Sequence, residues 1–459
     1  MANHLFDALL ADRAADDRPL LHLPDGGIRT FHELISLSGR MATVLADQGA
    51  EAGDRVVVQV HKSPEALALY FACLRGGFAL VPLNPAYTAA EVDYFVGDAE
   101  PVVLVGDADR PQELAPIADR YGATLLTLDA DGSGTLATLA ETATALPVAS
   151  TGPDDLAGIL YTSGTTGRSK GAMLSHENLL SNARSLVDGW RFTERDVLLH
   201  ALPIFHTHGL FVAVNITLAA GGSMIFLPRF DVDELIRLMP QATALMGVPT
   251  FYTRLLAHPR FTRELAEPMR LFVSGSAPML TETHAEIEAR TGQRVLERYG
   301  MTETSMICSN PYDGERRAGT VGLPLPQVAV RVCDPDTGIE VEPGHIGVIE
   351  VTGPNVFRGY WRMPDRTAEE FRPDGFFITG DLGRVDDDGY VEIVGRGKDL
   401  IISGGLNVYP KEVEAEIDGI SGIAESAVIG VPHPDLGEAV VAVVVTKPGA
   451  ELDQATVLD

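Results

Sequence analysis

The chain has 459 residues, 45% of them hydrophobic, and a formal net charge of −29. That length supports a large core and exceeds one ordinary domain, while the acidic balance argues against nucleic acid or an anionic membrane as the main partner. Three scattered cysteines, Cys73, Cys308 and Cys333, lack metal-ligand spacing and read as reduced thiols of a cytosolic protein. No signal-peptide pattern opens the chain, and no apolar run reaches bilayer length.

Residues 1–150 alternate strand and helix patterns. Strands are predicted at 56–60, 79–82 and 102–105. A helix is predicted at 64–75, with Pro64 in its first turn, and another opens at the capping box of Thr88 and Glu91. Such alternation predicts an α/β fold with a parallel sheet. The segment shows no catalytic constellation, and the chain shows no fixed-period repeat. Residues 129–155, rich in Ala, Thr, Gly and Asp, read as a loose connection.

The stretch Tyr161-Thr162-Ser163-Gly164-Thr165-Thr166-Gly167-Arg168-Ser169-Lys170-Gly171 follows an apolar run at 156–160 that reads as a buried strand. An amphipathic pattern starts near Ser175, so the loop is expected between a strand and a helix. Glycines let a backbone fold around an anion with its N–H groups turned inward. Four hydroxyls and Lys170 add donors and positive charge, a combination suited to a polyphosphate. The loop is not a Walker A motif, because after Gly164 and four intervening residues Ser169 stands where a Gly is required, and Gly171 follows Lys170.

A strand at 197–202 leads into Pro203-Ile204-Phe205-His206-Thr207-His208-Gly209. Ligands of open α/β sheets collect beyond the carboxyl ends of strands, which favours this histidine-bearing turn. Asn215-Ile216-Thr217 matches a glycosylation sequon but falls in an apolar helix and is read as chance. Strands at 243–248 and 270–273 precede Pro249 and the small-residue turn Ser274-Gly275-Ser276-Ala277-Pro278, where a flat ligand could lie against backbone. In Glu297-Arg298-Tyr299-Gly300-Met301-Thr302-Glu303, the carboxylate of Glu303 suits a hard cation between phosphates, and Tyr299 offers an aromatic face. Residues 345–395 read as antiparallel strands, with a hairpin turning at Asp388-Gly389. Asp381, after a Gly, could accept ribose hydroxyls. Glycines from Gly395 to Gly405 suggest a hinge. Beyond it, a helix opens at Pro410, and strands are predicted at 427–431 and 440–446.

These strings resemble the adenylate-forming superfamily: acyl- and aryl-CoA synthetases, firefly-type luciferases and nonribosomal-peptide adenylation domains. The resemblance implies a large N-terminal domain of stacked α/β sheets with a β-rich subdomain over residues 1–396. A small α+β lid domain follows over 397–459, incomplete at its C-terminus. It implies catalytic roles for Lys170, Thr302, Glu303 and His206. Nucleotide contacts are implied from Thr162, Ser163, Gly164, Thr165, Thr166, Gly167, Ser276, Ala277, Glu297, Arg298, Tyr299, Gly300, Met301, Thr302, Asp381 and Arg396. Glu303 would hold Mg²⁺, Lys398 would be the hinge, and Ser403, Gly404 and Gly405 would border the coenzyme A path. ATP, Mg²⁺ and coenzyme A are thus the implied cofactor and co-substrates. Relatives continue past the position of Asp459 to a Gly-Lys pair that assists adenylation, so a chain ending there is expected to be impaired in the first half-reaction.

Within the superfamily the chain resembles malonyl-CoA synthetases, especially at His206-Thr207-His208, Glu297-Arg298-Tyr299 and Ser305-Met306. A diacid would bring a second carboxylate, costly to bury without a partner. An arginine fork can hold it bidentately. Arg298 is the candidate and Arg254 the alternative. His206, Thr207, Ser274 and Met306 are expected around the acid, with Thr207 and Met306 beside its C2. A methyl group there changes binding by only ~1–3 kcal/mol, so methylmalonate could fit as well as malonate. Three rival readings are a CoA ligase for another short-chain acid, a stand-alone adenylation domain and a non-catalytic nucleotide binder. The His206 turn lacks the Asp expected of an amino-acid pocket. The oligomeric state is left open.

Overall fold

The computed structural model describes residues 2–162, 168–335, 337–403, 406–434, 436–447, 449–450 and 457. They form two compact units. The first comprises Met1–Gly319, Leu325–Val328 and Gly353–Glu369; the second comprises Thr320–Pro324, Ala329–Thr352 and Glu370–Asp459.

One sheet of the first unit orders its strands Thr124–Thr127, Val103–Gly106, Arg55–Gln59, Ala79–Pro82, Leu156–Thr162 and Lys170–Ser175. All neighbours are parallel except the last pair. Its central strands are apolar and buried along their length, as strands covered by helices on both faces must be. Helix Pro64–Gly76 is started by Ser63, which caps Ala66, and by Pro64 at its first position; it is buried on nearly every side. The cluster of Val57, Val81, Phe95, Leu104 and Ile159 packs against Tyr161 and Trp361, so the strand entering the Gly/Ser/Thr loop is tied to the core.

The other sheet of this unit runs through Ser305–Ser309, Leu296–Met301, Leu271–Ser274, Ala244–Gly247, Val197–His200, Ser223–Phe226, Pro19–His22 and Ile28–Thr30. The strands from Leu296–Met301 to Pro19–His22 are parallel. Their carboxyl ends therefore share one edge. The His206 turn, the 274–278 turn and the Tyr299–Glu303 segment all leave from it.

The second unit holds an antiparallel sheet of Ala329–Cys333, Gly347–Thr352, Phe377–Val385 and Val391–Arg396. Inside it, the fully buried Glu350 accepts from Arg331 and Arg372, one on each oxygen. A separate sheet of Leu406–Val408, Ile401–Ser403, Gly437–Thr446 and Ile423–His433 packs its apolar side on helix Pro410–Asp418 through Ile401, Ile417, Ile423 and Val428.

Two expectations need correction. The Gly/Ser/Thr loop does not join a strand to a helix. It joins two antiparallel strands, with Thr162 opposite Lys170 and Tyr161 opposite Gly171. Residues 170–175 form a short strand, with Ala172 and Leu174 buried, before helix His176–Gly189 starts where Ser175 caps it. Residues 129–155 also hold a helix, Thr135–Thr142, which buries Leu136 and Ala140. The sequon reading stands: Asn215 is buried and accepts from the Tyr70 hydroxyl at 3.0 Å. Among the described residues no helix is long and apolar enough to cross a membrane.

Ser175 accepts from the Asn178 N–H while the Asn178 side chain reaches back to the Ser175 N–H. Removing such a cap costs about 1 kcal/mol. Ser175→Ala is therefore expected to lower the melting temperature in differential scanning fluorimetry; an unchanged temperature would contradict the capping role.

Candidate active site

The first half of the site is built on the hairpin that carries the Gly/Ser/Thr loop. Ser163, Gly164, Thr165, Thr166 and Gly167 lie outside the described residues, but both flanks of the loop are fixed. On the entering strand, the Tyr161 hydroxyl donates to Asp98 Oδ2 at 2.6 Å. On the leaving side, the Tyr94 hydroxyl donates to the Ser169 carbonyl at 2.7 Å. Trp361 Nε1 donates to the Asp98 carbonyl, and the Trp361 N–H to the Gly171 carbonyl. Burial and the neighbouring Asp98 raise the Tyr161 pKa, so its phenol stays a donor.

Glu303 is 4% exposed. Its Oε1 accepts from the Tyr360 hydroxyl at 3.0 Å and from Thr162 Oγ1 at 3.4 Å. The Lys170 ammonium lies 4.0 Å from the centre of the Tyr360 ring, a cation–π contact. Thr162, Lys170 and Glu303, far apart in sequence, are thus brought together around one tyrosine. The sequence reading gave Tyr360 no role. Behind Glu303, Asn355 Nδ2 donates to the carbonyls of Thr304 and Met306, and Asn182 grips both the N–H and the carbonyl of Met306. Tyr299, Met301 and Thr302 are half-buried on the same strand end, where an aromatic face and a hydroxyl remain accessible.

The second half surrounds Arg298. This arginine is 3% exposed and sits on strand Leu296–Met301. A Cβ on Gly275 would lie 2.5 Å from Arg298 Cζ, so the guanidinium rests in the space that a side chain at 275 would take. Among the described residues no carboxylate pairs with it. Its Nη2 donates to Ser276 Oγ at 3.4 Å, and its Nε has no partner. Burial pulls its pKa down to about 9, which leaves it protonated at neutral pH. His208 is fully buried, and burial, then the Arg298 charge, holds its pKa well below the ordinary value. Ser276 Oγ also meets His208 Nδ1 at 3.4 Å. The other ring nitrogen of His208, Nε2, is buried and has no partner among the described residues either. The Thr207 and Ser274 hydroxyls complete a set of buried groups without hydrogen-bond partners among the described residues.

Met306 is buried opposite Gly300 on the neighbouring strand, whereas His206 and Arg254 are exposed; Arg254 lies over the Phe230 ring instead. Arg298, not the alternative Arg254, is therefore the buried arginine. Ser276 and Ala277 are exposed, and Ser276 holds a φ of +69°, uncommon for a residue with a side chain. In the second unit, Asp381 and Arg396 face each other across two strands, with Arg396 Nε 3.5 Å from Asp381 Oδ1. Lys398 is exposed in a 3₁₀ turn and Ser403 is half-buried at a strand end. Gly404 and Gly405 lie outside the described residues.

A loop of this composition sprung from a hairpin, with a buried carboxylate and an accessible tyrosine at its side, defines a nucleotide-using enzyme. The chain belongs to the AMP-binding enzyme family: that family's profile matches residues 10–361, and the AMP-binding enzyme C-terminal domain matches 412–459. It is similar to the crystal structure of ATP-bound MatB from Rhodopseudomonas palustris, with 59% identity and a TM-score of 0.97 over all of this chain and 91% of that one. It is also similar to a malonyl-CoA ligase ternary product complex with methylmalonyl-CoA and AMP bound, with 38% identity and a TM-score of 0.75 over 99% of this chain and 95% of that one. A curated relative, the mitochondrial malonate–CoA ligase of Mus musculus, is 35% identical over 93% of this chain and 79% of its own length.

Glu297, beside Arg298, is buried, and burial pushes its carboxyl up to about 7; the Gly319 N–H offsets this only in part. A raised acid binds a proton in the folded chain that the unfolded chain has already released. Its contribution to stability is full below about pH 4.5 and is lost as pH rises through 7. The melting temperature of the wild type relative to Glu297→Gln is expected to fall between pH 5 and pH 8, and parallel profiles would contradict it.

Proposed function

We propose that the chain is an ATP-dependent, AMP-forming malonate–CoA ligase that accepts malonate and methylmalonate. The observation that carries this reading is the buried Arg298, with no carboxylate paired to it among the described residues, and the unpartnered Thr207 Oγ1, His208 Nε2 and Ser274 Oγ in its neighbourhood. A monocarboxylic acid gives such groups nothing to bind. A diacid brings a carboxylate that accepts from the guanidinium and the His208 Nε2–H. Relatives whose structures hold ATP, or methylmalonyl-CoA with AMP, support the same reading.

In the proposed reaction the free carboxylate of malonate attacks the α-phosphorus of ATP, forming a mixed anhydride and releasing pyrophosphate. The thiol of coenzyme A then attacks the acyl carbon, loses its proton, and expels AMP. Such chemistry needs positioning and charge neutralisation more than covalent help. Residues 162–167 and Lys170 hold the phosphates, Thr302 meets the α-phosphate, and Tyr299 stacks on adenine. Ser276, Ala277, Glu297, Gly300 and Met301 line the nucleotide, and Asp381 and Arg396 take its ribose side. His206 stands at the rim of the acid pocket, and Thr207 and Met306 bound the space beside C2. The single carboxylate of Glu303 suits Mg²⁺, which takes one or two protein carboxylates and completes its shell with waters and phosphates. That ion would neutralise phosphate charge. In the same reading a small domain begins at residue 397, Lys398 is its hinge, and Ser403, Gly404 and Gly405 border the coenzyme A path.

Breaking a buried charge pair by removing one partner costs about 3–5 kcal/mol, or roughly 10² to 4 × 10³-fold in kcat/KM at 1.4 kcal/mol per decade. Arg298→Ala is expected to lower kcat/KM for malonate by that factor and to affect propionate and butyrate far less. Equal losses for all three acids would remove Arg298 from the role.

A further inference from the structure

Lys62 is a buried lysine that the reaction described above does not use. It follows strand Arg55–Gln59 and reaches across to the end of strand Val197–His200. Its ammonium donates to His200 Nδ1 at 2.7 Å, to the His200 carbonyl at 2.9 Å and to the Leu202 carbonyl at 3.0 Å. Three donors meet three acceptors, which is the complement of a protonated lysine. The Phe226 ring centre lies 4.3 Å away, and among the described residues no carboxylate pairs with this cation. Burial lowers the Lys62 pKa. A buried, unpaired ammonium is expensive, and an apolar side chain would fill the same space at less cost.

The arrangement continues toward the acid pocket. Because His200 Nδ1 accepts from Lys62, its proton is on Nε2, which donates to the Gly209 carbonyl at 2.9 Å. Gly209 follows His208 at the start of the π-helical segment His208–Val214. π-helical turns are rare and frequent at functional sites. A Cβ on Gly209 would lie 1.9 Å from the Pro203 carbonyl oxygen, so this approach requires glycine. His208 in turn meets Ser276, which meets Arg298. An unbroken series of contacts thus runs from Lys62 to the guanidinium.

We propose that Lys62 is a positioning residue for dicarboxylate recognition: through His200 and the Gly209 carbonyl it fixes the turn that sets His208 beside Arg298. The inference rests on the malonate reading of that pocket. It adds a residue whose removal loosens selectivity for diacids without touching the substrate.

The test compares Lys62→Met with two substitutions of His200. An asparagine amide reproduces the Nδ1 end of a histidine, and a glutamine amide the Nε2 end. Lys62→Met and His200→Asn are expected to raise KM for malonate at least about tenfold and to lower the malonate-to-propionate ratio of kcat/KM by a similar factor. Both are also expected to speed hydrogen exchange in the 208–214 segment. His200→Gln keeps the bond to Gly209 but breaks the one to Lys62, so its ratio should fall between those of His200→Asn and wild type. Should Lys62→Met fail to fold, Lys62→Gln takes its place with the same expected loss of ratio. Equal losses for malonate and propionate with unchanged exchange, or His200→Gln as unselective as His200→Asn, would overturn the proposal. A wild-type enzyme showing no preference for malonate would instead overturn the function on which it rests.

Discussion

A guanidinium sealed inside the protein, with no carboxylate paired to it among the described residues, is the constraint that organises this molecule. Arg298 lies on a strand between two others, pressed against Gly275, with one weak contact to a serine hydroxyl. Desolvating such a charge costs several kcal/mol unless something compensates. Among the described residues none supplies an anion for it, and this is the ground for proposing that the substrate does. The same requirement explains why His208 stays neutral beside it: two adjacent buried cations would raise the cost further, and burial, together with the Arg298 field, keeps the imidazole unprotonated. In a chain of net charge −29, this local positive ground is what an anionic acid would find attractive.

The phosphate side is organised differently. There the charged groups are paired in advance: Glu303 with Tyr360 and Thr162, and Lys170 with the Tyr360 ring. Tyrosines anchored on Asp98 and on the Ser169 carbonyl hold the two ends of the Gly/Ser/Thr loop. One end of the site is therefore preorganised by its own contacts, while the other is left electrically incomplete. Binding energy spent on the incomplete end can position the reacting carboxylate at the other.

Much of this was legible in the sequence, for local reasons. Strand Ala79–Pro82 and the Thr88 capping box depend on neighbouring residues alone, and the structure holds both where the pattern placed them. The strand Lys170–Ser175 was missed because it is short, polar at both ends and defined by its pairing with Leu156–Thr162. Helix Thr135–Thr142 was missed because its composition is that of a linker and only two of its side chains are buried. The residues proposed for the site were named where a string carries its own chemistry, as at Glu303 and Arg298. Lys62, His200, Asp98, Asn182 and Tyr360 escaped because their roles come from partners tens to hundreds of residues away. The contact between Lys62 and His200 spans 138 positions, and no periodicity announces it.

The most direct measurement is the wild-type enzyme's own product and preference: nucleotide released with ATP and coenzyme A, followed across malonate, methylmalonate, propionate and acetate at equal concentration. The account predicts AMP as the product and both diacids consumed with kcat/KM about 10² or more above the monoacids, the factor that an unmet buried charge imposes. Comparable turnover of propionate and malonate, or release of ADP in place of AMP, would contradict it.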